Sequence, residues 1–257
     1  MWTVVWEREV AGNGDIFGSQ LNFQGTILVP TYNVDVSAID ARRPAVSSLT
    51  TFGNYMVVFE GNPLCAADIE ARVLNGAAVL ETANLTTLEN IATGQPRVLP
   101  TVDATADRFV VACSQQVTPL NADVHISTYC VLNGSIHIAE QHRSLDISAA
   151  YSDGVRLASV QGSGGAPSSG DFMVSWANRG SPATFGSIAA ALYRAPTTCC
   201  LTDIVVNGRT DVDDLLLVIT AWGPCANPSI CPADVNGDLV VNVDDLLAVI
   251  SGWGQCQ

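Results

Sequence analysis

Two stretches near the C-terminus, "DIVVNGRTDVDD" from Asp203 and "DVNGDLVVNVDD" from Asp234, space their oxygens as a hard divalent cation requires. Ca²⁺ takes six to eight oxygen ligands, which a twelve-residue loop supplies from positions 1, 3, 5, 9 and 12 and from a backbone carbonyl at 7. In the second loop these are Asp234, Asn236, Asp238, the Val240 carbonyl, Asn242 and Asp245. In the first they are Asp203, Asn207, the Arg209 carbonyl, Asp211 and Asp214, with Val205 offering no oxygen at position 3. Two Ca²⁺ sites are therefore expected. Position 6 is Gly208 in one loop and Leu239 in the other. Asp211 and Asn242 also suit helix N-caps, a role that needs no metal.

The loops sit inside a duplication that sets Cys200 on Cys231, Asp214 on Asp245, Trp222 on Trp253 and Cys225 on Cys256. Behind each loop the apolar spacing is helical: Val212, Leu215, Leu216, Ile219 and Trp222, then Val243, Leu246, Leu247, Ile250 and Trp253. Helices this short are not stable singly, so the two apolar faces are expected to bury against each other in an antiparallel, pseudo-twofold pair. Such a pair places the start of each loop beside the end of the other helix. The disulfides would then be Cys200 with Cys256 and Cys225 with Cys231. A bridge within one repeat would instead span a helix of about ten residues, roughly 15 Å, against the Cα separation near 6 Å that a disulfide tolerates.

Residues 200 to 256 resemble a type I dockerin, in the variant whose repeats end in "WGxC". That resemblance implies calcium-dependent folding and non-covalent attachment, to a cohesin-like module or a cell-surface sorting component, of secreted proteins that often act on polysaccharide. It also implies partner recognition at loop positions 10 and 11, here Val212, Asp213, Val243 and Asp244, where the usual hydroxyl pair is absent.

The rest of the chain carries a different repeat. The runs "TVVWE", "MVVFE", "FVVAC" and "MVSWA" set Trp6, Phe59, Ala112 and Trp176 in one register. Each is followed by a second strand ("DIFGSQL", "DIEARVL", "DVHISTY", "GSIAAALY"), and three of them by a glycine turn and a third ("GTILVP", "GAAVLE", "GSIHIAE"). A further strand leads the later copies, in "PAVSSL", "PRVLPTV" and "GVRLASV". Short strands recurring at about 50 residues mark radially repeated sheets. The expected fold is thus mainly β: a propeller-like region over 1–195, in repeats 1–43, 44–95, 96–150 and 151–195, then a small helical calcium-binding domain over 196–257. A β-sandwich is the competing architecture. The β region also resembles a secreted bacterial propeller-like repeat, which implies a fold and no particular reaction. Fewer than four complete blades are visible, which predicts further blades upstream.

The net charge of −14 and the absence of lysine argue against a nucleic-acid partner, since neutralising phosphate needs clustered basic residues. No run reaches transmembrane length, so no membrane span is expected. Eight cysteines without a CxxC pair read as disulfides and point to an extracellular or cell-surface setting, with an export signal expected upstream. No nucleophile elbow, P-loop or zinc-protease motif gives catalysis an anchor. Glu7 and Glu60 recur at strand ends, and Asp15, Asp68 and Asp123 at strand starts, where turn and capping roles suffice. His125, His137 and His142 lack a supporting ligand pattern, and "GSGGAPSSG" reads as a flexible inserted loop. The leading reading is a non-catalytic binding module for carbohydrate or protein, tethered by the tail. Its rival is a dockerin-bearing carbohydrate-active enzyme, a glycoside hydrolase or lyase, with catalytic carboxylates in the propeller-like region or upstream.

Overall fold

The computed structural model describes the chain except for residues 11, 51–52, 63–67, 86–95, 106–107, 133–134, 148–150, 162–166, 181–185, 197–201, 206–208, 226–230, 237 and 256–257. The fold is mainly β. Strands β1 (Trp2–Val10), β2 (Asn13–Leu21) and β3 (Ile27–Asp35) form a first sheet, and β4 (Ala41–Val46), β5 (Asn54–Gly61), β6 (Asp68–Asn75) and β7 (Ala78–Asn84) a second, each in chain order. A third meander follows, β8 (Arg97–Ala104), β9 (Arg108–Thr118), β10 (Asn121–Leu132) and β11 (Ser135–Asp146), and then a fourth, β12 (Tyr151–Gln161), β13 (Pro167–Arg179) and β14 (Ser187–Arg194). The single parallel bridge Ala122↔Tyr151 links these last two into one hydrogen-bonded sheet. All other pairings within the four meanders are antiparallel. Tight hairpins make this possible: Gly25 (φ 83°) and Gly76 (φ 59°) take the left-handed turn positions that a side chain resists. Among the described residues no sheet closes on itself.

The meanders stack face to face, because the central strands are apolar on both faces and each face needs cover. Tyr55, Val57 and Phe59 of β5 pack with Ile16 and Val34 of the first sheet. The alternate residues Met56 and Val58 pack the other way, with Phe109, Val111 and Tyr129 of the third. Val110, Ala112 and Ile126 then meet Phe172, Val174, Trp176 and Tyr193 of the fourth.

This alternation corrects one sequence register. Phe59 faces the preceding sheet, whereas Ala112 faces the following one, so the structural counterpart of Phe59 is Cys113, a buried thiol in the cluster with the second sheet. The leading strands give the same correspondence: β4 is irregular between Arg42 and Ala45 and β8 between Val98 and Thr101, and Ala45 opposes Val58 where Thr101 opposes Ala112.

Those bulges also assign the recurring glutamates. Arg43 and Leu99, at φ 53° and 54°, occupy the left-handed region in successive leading strands. The Arg43 N–H donates to Glu7 Oε2 at 2.7 Å and the Leu99 N–H to Glu60 Oε1 at 2.6 Å. Each glutamate thus fastens its sheet to the next. They are inter-sheet acceptors rather than turn or cap residues.

Asp103 is a second fastening. Ser48 donates to it from Oγ (2.6 Å) and N (3.0 Å), and Ser159 N from the fourth sheet at 2.6 Å. Burial opposes its charge, but the hydrogen bonds from Ser48, Ser159 and Ala104 outweigh burial and hold its pKa below the usual aspartate range. A depressed carboxyl pKa contributes stability above the unfolded-state value, near 3.9, which is lost as pH falls through the lower folded value. Asp103→Asn is therefore expected to lower the melting temperature at neutral pH and to flatten its acid decline below about pH 4. Parallel acid declines in the two proteins would refute this.

Candidate functional site

The tail carries two helices, α1 (Val212–Thr220) and α2 (Val243–Ser251). Each is built the same way. Asp211 and Asn242 are N-caps, accepting from Asp213 N (3.0 Å) and Asp244 N (2.7 Å), and Asp214 and Asp245 complete capping boxes. Each helix stops before a tryptophan and a glycine, Gly223 at φ 123° and Gly254 at φ 127°, which explains the "WG" of the repeat ending. Four two-residue strands, β15 (Arg209–Thr210), β16 (Gly223–Pro224), β17 (Val240–Val241) and β18 (Gly254–Gln255), interlock the copies, β15 pairing with β18 and β16 with β17. The first loop therefore leans on the end of α2, and a Cβ at Gly252 would collide with Thr202. Neither repeat closes its ladder alone.

The helices do not meet on the face that sequence periodicity selects. Only Leu215 and Leu246 of that set are partly packed, and the core is Val218 and Val249 with Ile204, Ala233 and Val241. Val212, Leu216, Ile219 and Trp222 are 53, 51, 49 and 53% exposed, and Val243, Leu247, Ile250 and Trp253 are 52, 53, 50 and 53% exposed. The reason is electrostatic. Asp214 and Asp245 must turn inward to reach their loops, and this rotates the stripe outward. Asp214 accepts from Val205 N and Asp211 N, each at 2.8 Å. Asp245 accepts from Val235 N (2.8 Å), Asn236 N (3.2 Å) and Asn242 N (2.8 Å).

Asp203, Asp214, Asp234 and Asp245 are at most 1% exposed, so four carboxylates lie buried in two short loops. Around Asp234 the second loop winds tightly: Asp238 N and Leu239 N donate to its two oxygens at 3.1 and 2.8 Å. Leu239 takes φ 71° at the sharp turn where the other loop has glycine. Asn236 Nδ2 and Asn242 Nδ2 lie 3.2 and 3.5 Å from Asp238 Oδ2, and Asn242 Nδ2 also reaches the Val240 carbonyl at 3.3 Å. The oxygens of Asp234, Asn236, Asp238, Val240 and Asp245 lie along this one loop, and those of Asp234 and Asp245 are taken up by its backbone N–H groups; among the described residues the carboxylates of Asp234, Asp238 and Asp245 do not draw together as a metal-binding cluster. Asn242 turns its Oδ1 to the cap, where it accepts from Asp244 N. In the first loop Asp203 and Asp214 are buried and Asp211 has its Oδ1 on the cap, while Asn207 lies outside the described residues.

The four recognition positions, Val212, Asp213, Val243 and Asp244, all lie exposed in the first turns of the helices. Cys225 and Cys231 form a disulfide with Cα atoms 5.8 Å apart. Asp234 lies within reach of both sulfurs, yet bonded sulfurs offer no thiolate, so this trio is a brace on the second loop rather than a metal site. Cys200 and Cys256 lie outside the described residues. Cys130 is also disulfide-bonded.

The histidines do not converge. His125 faces Ser144 on the neighbouring strand, its Nδ1 3.2 Å from Ser144 Oγ, whereas His137 opposes Cys130, five residues farther along β10 and so about 17 Å away. The side chain of His142 lies outside the described residues. His137 is hydrogen-bonded to the Asp203 backbone and so ties the tail to β11; burial pushes its pKa down against that bond. Asp15 and Asp68 accept from Asn13 and Asn84, and burial with the neighbouring Asp146 charge raises the Asp123 pKa. Of "GSGGAPSSG", Pro167–Gly170 belong to β13. Where the leading strands converge lies a cleft of about 340 Å³ lined by Arg43, Pro44, Ala45, Leu99, Pro100, Thr101 and Arg156.

No family model matches the chain, and no curated protein matches it. Among solved structures, the endo-arabinase from Bacteroides thetaiotaomicron VPI-5482 is similar over 76% of this chain and 71% of its own, at 12% identity and a TM-score of 0.44. Likeness at that level carries no argument about chemistry. Among the described residues no helix is long and apolar enough to cross a membrane.

Proposed function

We propose that the chain is an extracellular, non-catalytic binding module of propeller-like stacked sheets, attached to a partner by a calcium-loaded, dockerin-like tail. The observation that carries this reading is the duplicated outer stripe, Val212, Leu216, Ile219 and Trp222 matched by Val243, Leu247, Ile250 and Trp253, each residue about half exposed. Solvated helices rarely keep eight large apolar side chains on the outside, and such patches mark interaction sites. Ca²⁺ held by Asp203, Asp211 and Asp214, and by Asp234, Asn236, Asp238 and Asp245, would neutralise the buried carboxylates and fix each helix against its loop. The partner is a cohesin-like module or a cell-surface sorting component with a complementary apolar groove, and the sheets hold carbohydrate or protein.

The test is immobilisation of the whole chain with calcium and capture from the surface fraction of the cells that make it. Leu216→Asp with Leu247→Asp should reduce capture at least tenfold without changing calcium uptake, since a buried apolar anchor contributes about 1.5–3 kcal/mol. Capture that survives the double substitution would overturn the docking face.

A further inference from the structure

We propose that the cleft between β4, β8 and β12 holds the carboxylate of an acidic sugar, a uronate, at the point where the third contact between sheets lacks an acid of its own. The leading strands repeat one device. They break register at equivalent places, β4 between Arg42 and Ala45, β8 between Val98 and Thr101, and β12 between Asp153 and Arg156. Arg43, Leu99 and Gly154 take φ 53°, 54° and 64° in those gaps. In the first two contacts the N–H at the kink donates to a glutamate of the preceding sheet, Arg43 to Glu7 and Leu99 to Glu60. The third contact departs from this. Ser114 opposes Val98 as Glu60 opposes Arg42, so a short hydroxyl stands where the carboxylate stood before. Ser114 is fully buried and its Oγ has no hydrogen-bond partner. Among the described residues no side chain accepts from the Gly154 N–H, and a Cβ at Gly154 would meet nothing within 4 Å. An acceptor is missing there, and the space beside the kink is open.

The cleft supplies the cations that a carboxylate needs. Its volume of about 340 Å³ falls in the range of small-ligand pockets, and Arg43 and Arg156 both line it. Arg156 is the counterpart of Ala45 and Thr101 in the earlier leading strands. It is exposed, its Nη1 donates to the Val155 carbonyl at 2.8 Å, and among the described residues it makes no ion pair. Arg43 is pinned in the same way, by Nη1 on Glu60. A guanidinium steadied at one nitrogen still presents the others, the fork that takes a carboxylate through parallel N–H bonds. The net charge of −14 gives an anion no general attraction, so only such local donors would retain it. The occupant is a ring rather than a peptide. Extended peptides bind by adding a strand to a sheet edge, and the edge strands β4 and β8 are interrupted by their bulges and by Pro44 and Pro100, which donate no N–H. Every wall residue belongs to β4, β8 or β12, so the site needs no free end of the stack. The inference rests on the reading of the sheets as a holder of carbohydrate, and it names the place and the chemical class.

Titration calorimetry on the whole chain tests this with trimers of galacturonate, glucuronate and mannuronate, their methyl esters, and triglutamate. At least one uronate trimer should bind, and its ester at least tenfold more weakly. Arg156→Gln should weaken the uronate at least tenfold and leave the circular dichroism unchanged, because the side chain is exposed. Ser114→Glu installs the missing acid. It should weaken the uronate by a similar factor and raise the melting temperature, since the new carboxylate fastens Gly154 as Glu60 fastens Leu99. Where Ser114→Glu does not fold, Arg156→Gln decides alone. Leu216→Asp with Leu247→Asp should bind the uronate as the wild type does, so a failure of the tail's docking face and a failure of this site are read separately. No binding of any uronate trimer, equal binding of acid and ester, or an affinity that Arg156→Gln leaves unchanged would each overturn the site. Tighter binding of triglutamate would assign the cleft to a peptide and overturn it too. Binding of esters alone, unaffected by Arg156→Gln, would leave the sheets a carbohydrate holder while removing this site from them.

Discussion

Chelating calcium is expected to unfold α1 and α2 while the sheets stay folded. Both helices have nine residues, below the roughly 12–15 at which an isolated helix holds in water, and Val218 and Val249 are their only fully buried apolar side chains. Against that small core stand four buried carboxylates, Asp203, Asp214, Asp234 and Asp245. Backbone N–H donors satisfy these oxygens but do not neutralise four charges, and buried charge costs several kcal/mol per ion, more than a domain this small can offset. Amide exchange should therefore rise throughout α1 and α2 on chelation and stay slow in β5 and β9. If exchange in the helices is the same with and without calcium, the sites do not bind metal. The loops should also differ in affinity. Leu239 at φ 71° strains the second loop by about 1–2 kcal/mol yet keeps every oxygen. Val205 removes a ligand from the first, whose carbonyl donor residue, Arg209, is itself cationic. Calorimetry on the whole chain should find that Asp234→Ala abolishes the tighter binding event and Asp203→Ala the weaker. The reverse assignment would show that strain outweighs the missing ligand.

The helix positions and loop spacing were legible because Asp, Asn and Gly are demanded there by a ligand set or a backbone angle. The helix faces were not. Val212, Leu216 and Ile219 fall at i, i+4 and i+7, as a core stripe would, and hydrophobicity alone cannot register that Asp214 must face inward to accept from Val205 and Asp211. A similar blindness affected the sheets. All fourteen strands of the meanders fall on apolar or turn-bounded segments visible in the sequence. But "YMVVF" and "FVVAC" are apolar at every position, because both faces are buried, so alternation says nothing about which residue faces which neighbour. The bulges at Arg43 and Leu99 then shift the register without a glycine to announce them. Glu60 was visible as a recurrent acid, but its partners lie 17 and 39 residues away in two other strands, beyond any local pattern.

Glu60→Ala will lower the stability of the stacked sheets by about 2–4 kcal/mol, more than removal of the exposed Glu7. Its side chain is fully buried, and its oxygens accept from Arg43 Nη1 at 2.9 and 2.7 Å and from Leu99 N at 2.6 Å. Arg43 is 56% exposed and regains water when the carboxylate is gone, so the ion pair itself accounts for little of the loss. The larger part is the Leu99 N–H, left without an acceptor in a residue already held at φ 54°. Glu60→Gln keeps that acceptor and should cost only about 1 kcal/mol, while Glu7→Ala, at a residue 41% exposed, should cost under about 1 kcal/mol. For a domain near 200 residues each kcal/mol moves the melting temperature by about 2–4 °C, so Glu60→Ala should melt on the order of 5–15 °C lower. Thermal melts of the three variants decide the matter. Equal shifts for Glu60→Ala and Glu60→Gln would mean that the charge, and not the fastening of Leu99, carries the effect; equal shifts for Glu60→Ala and Glu7→Ala would mean that burial of the acceptor contributes nothing.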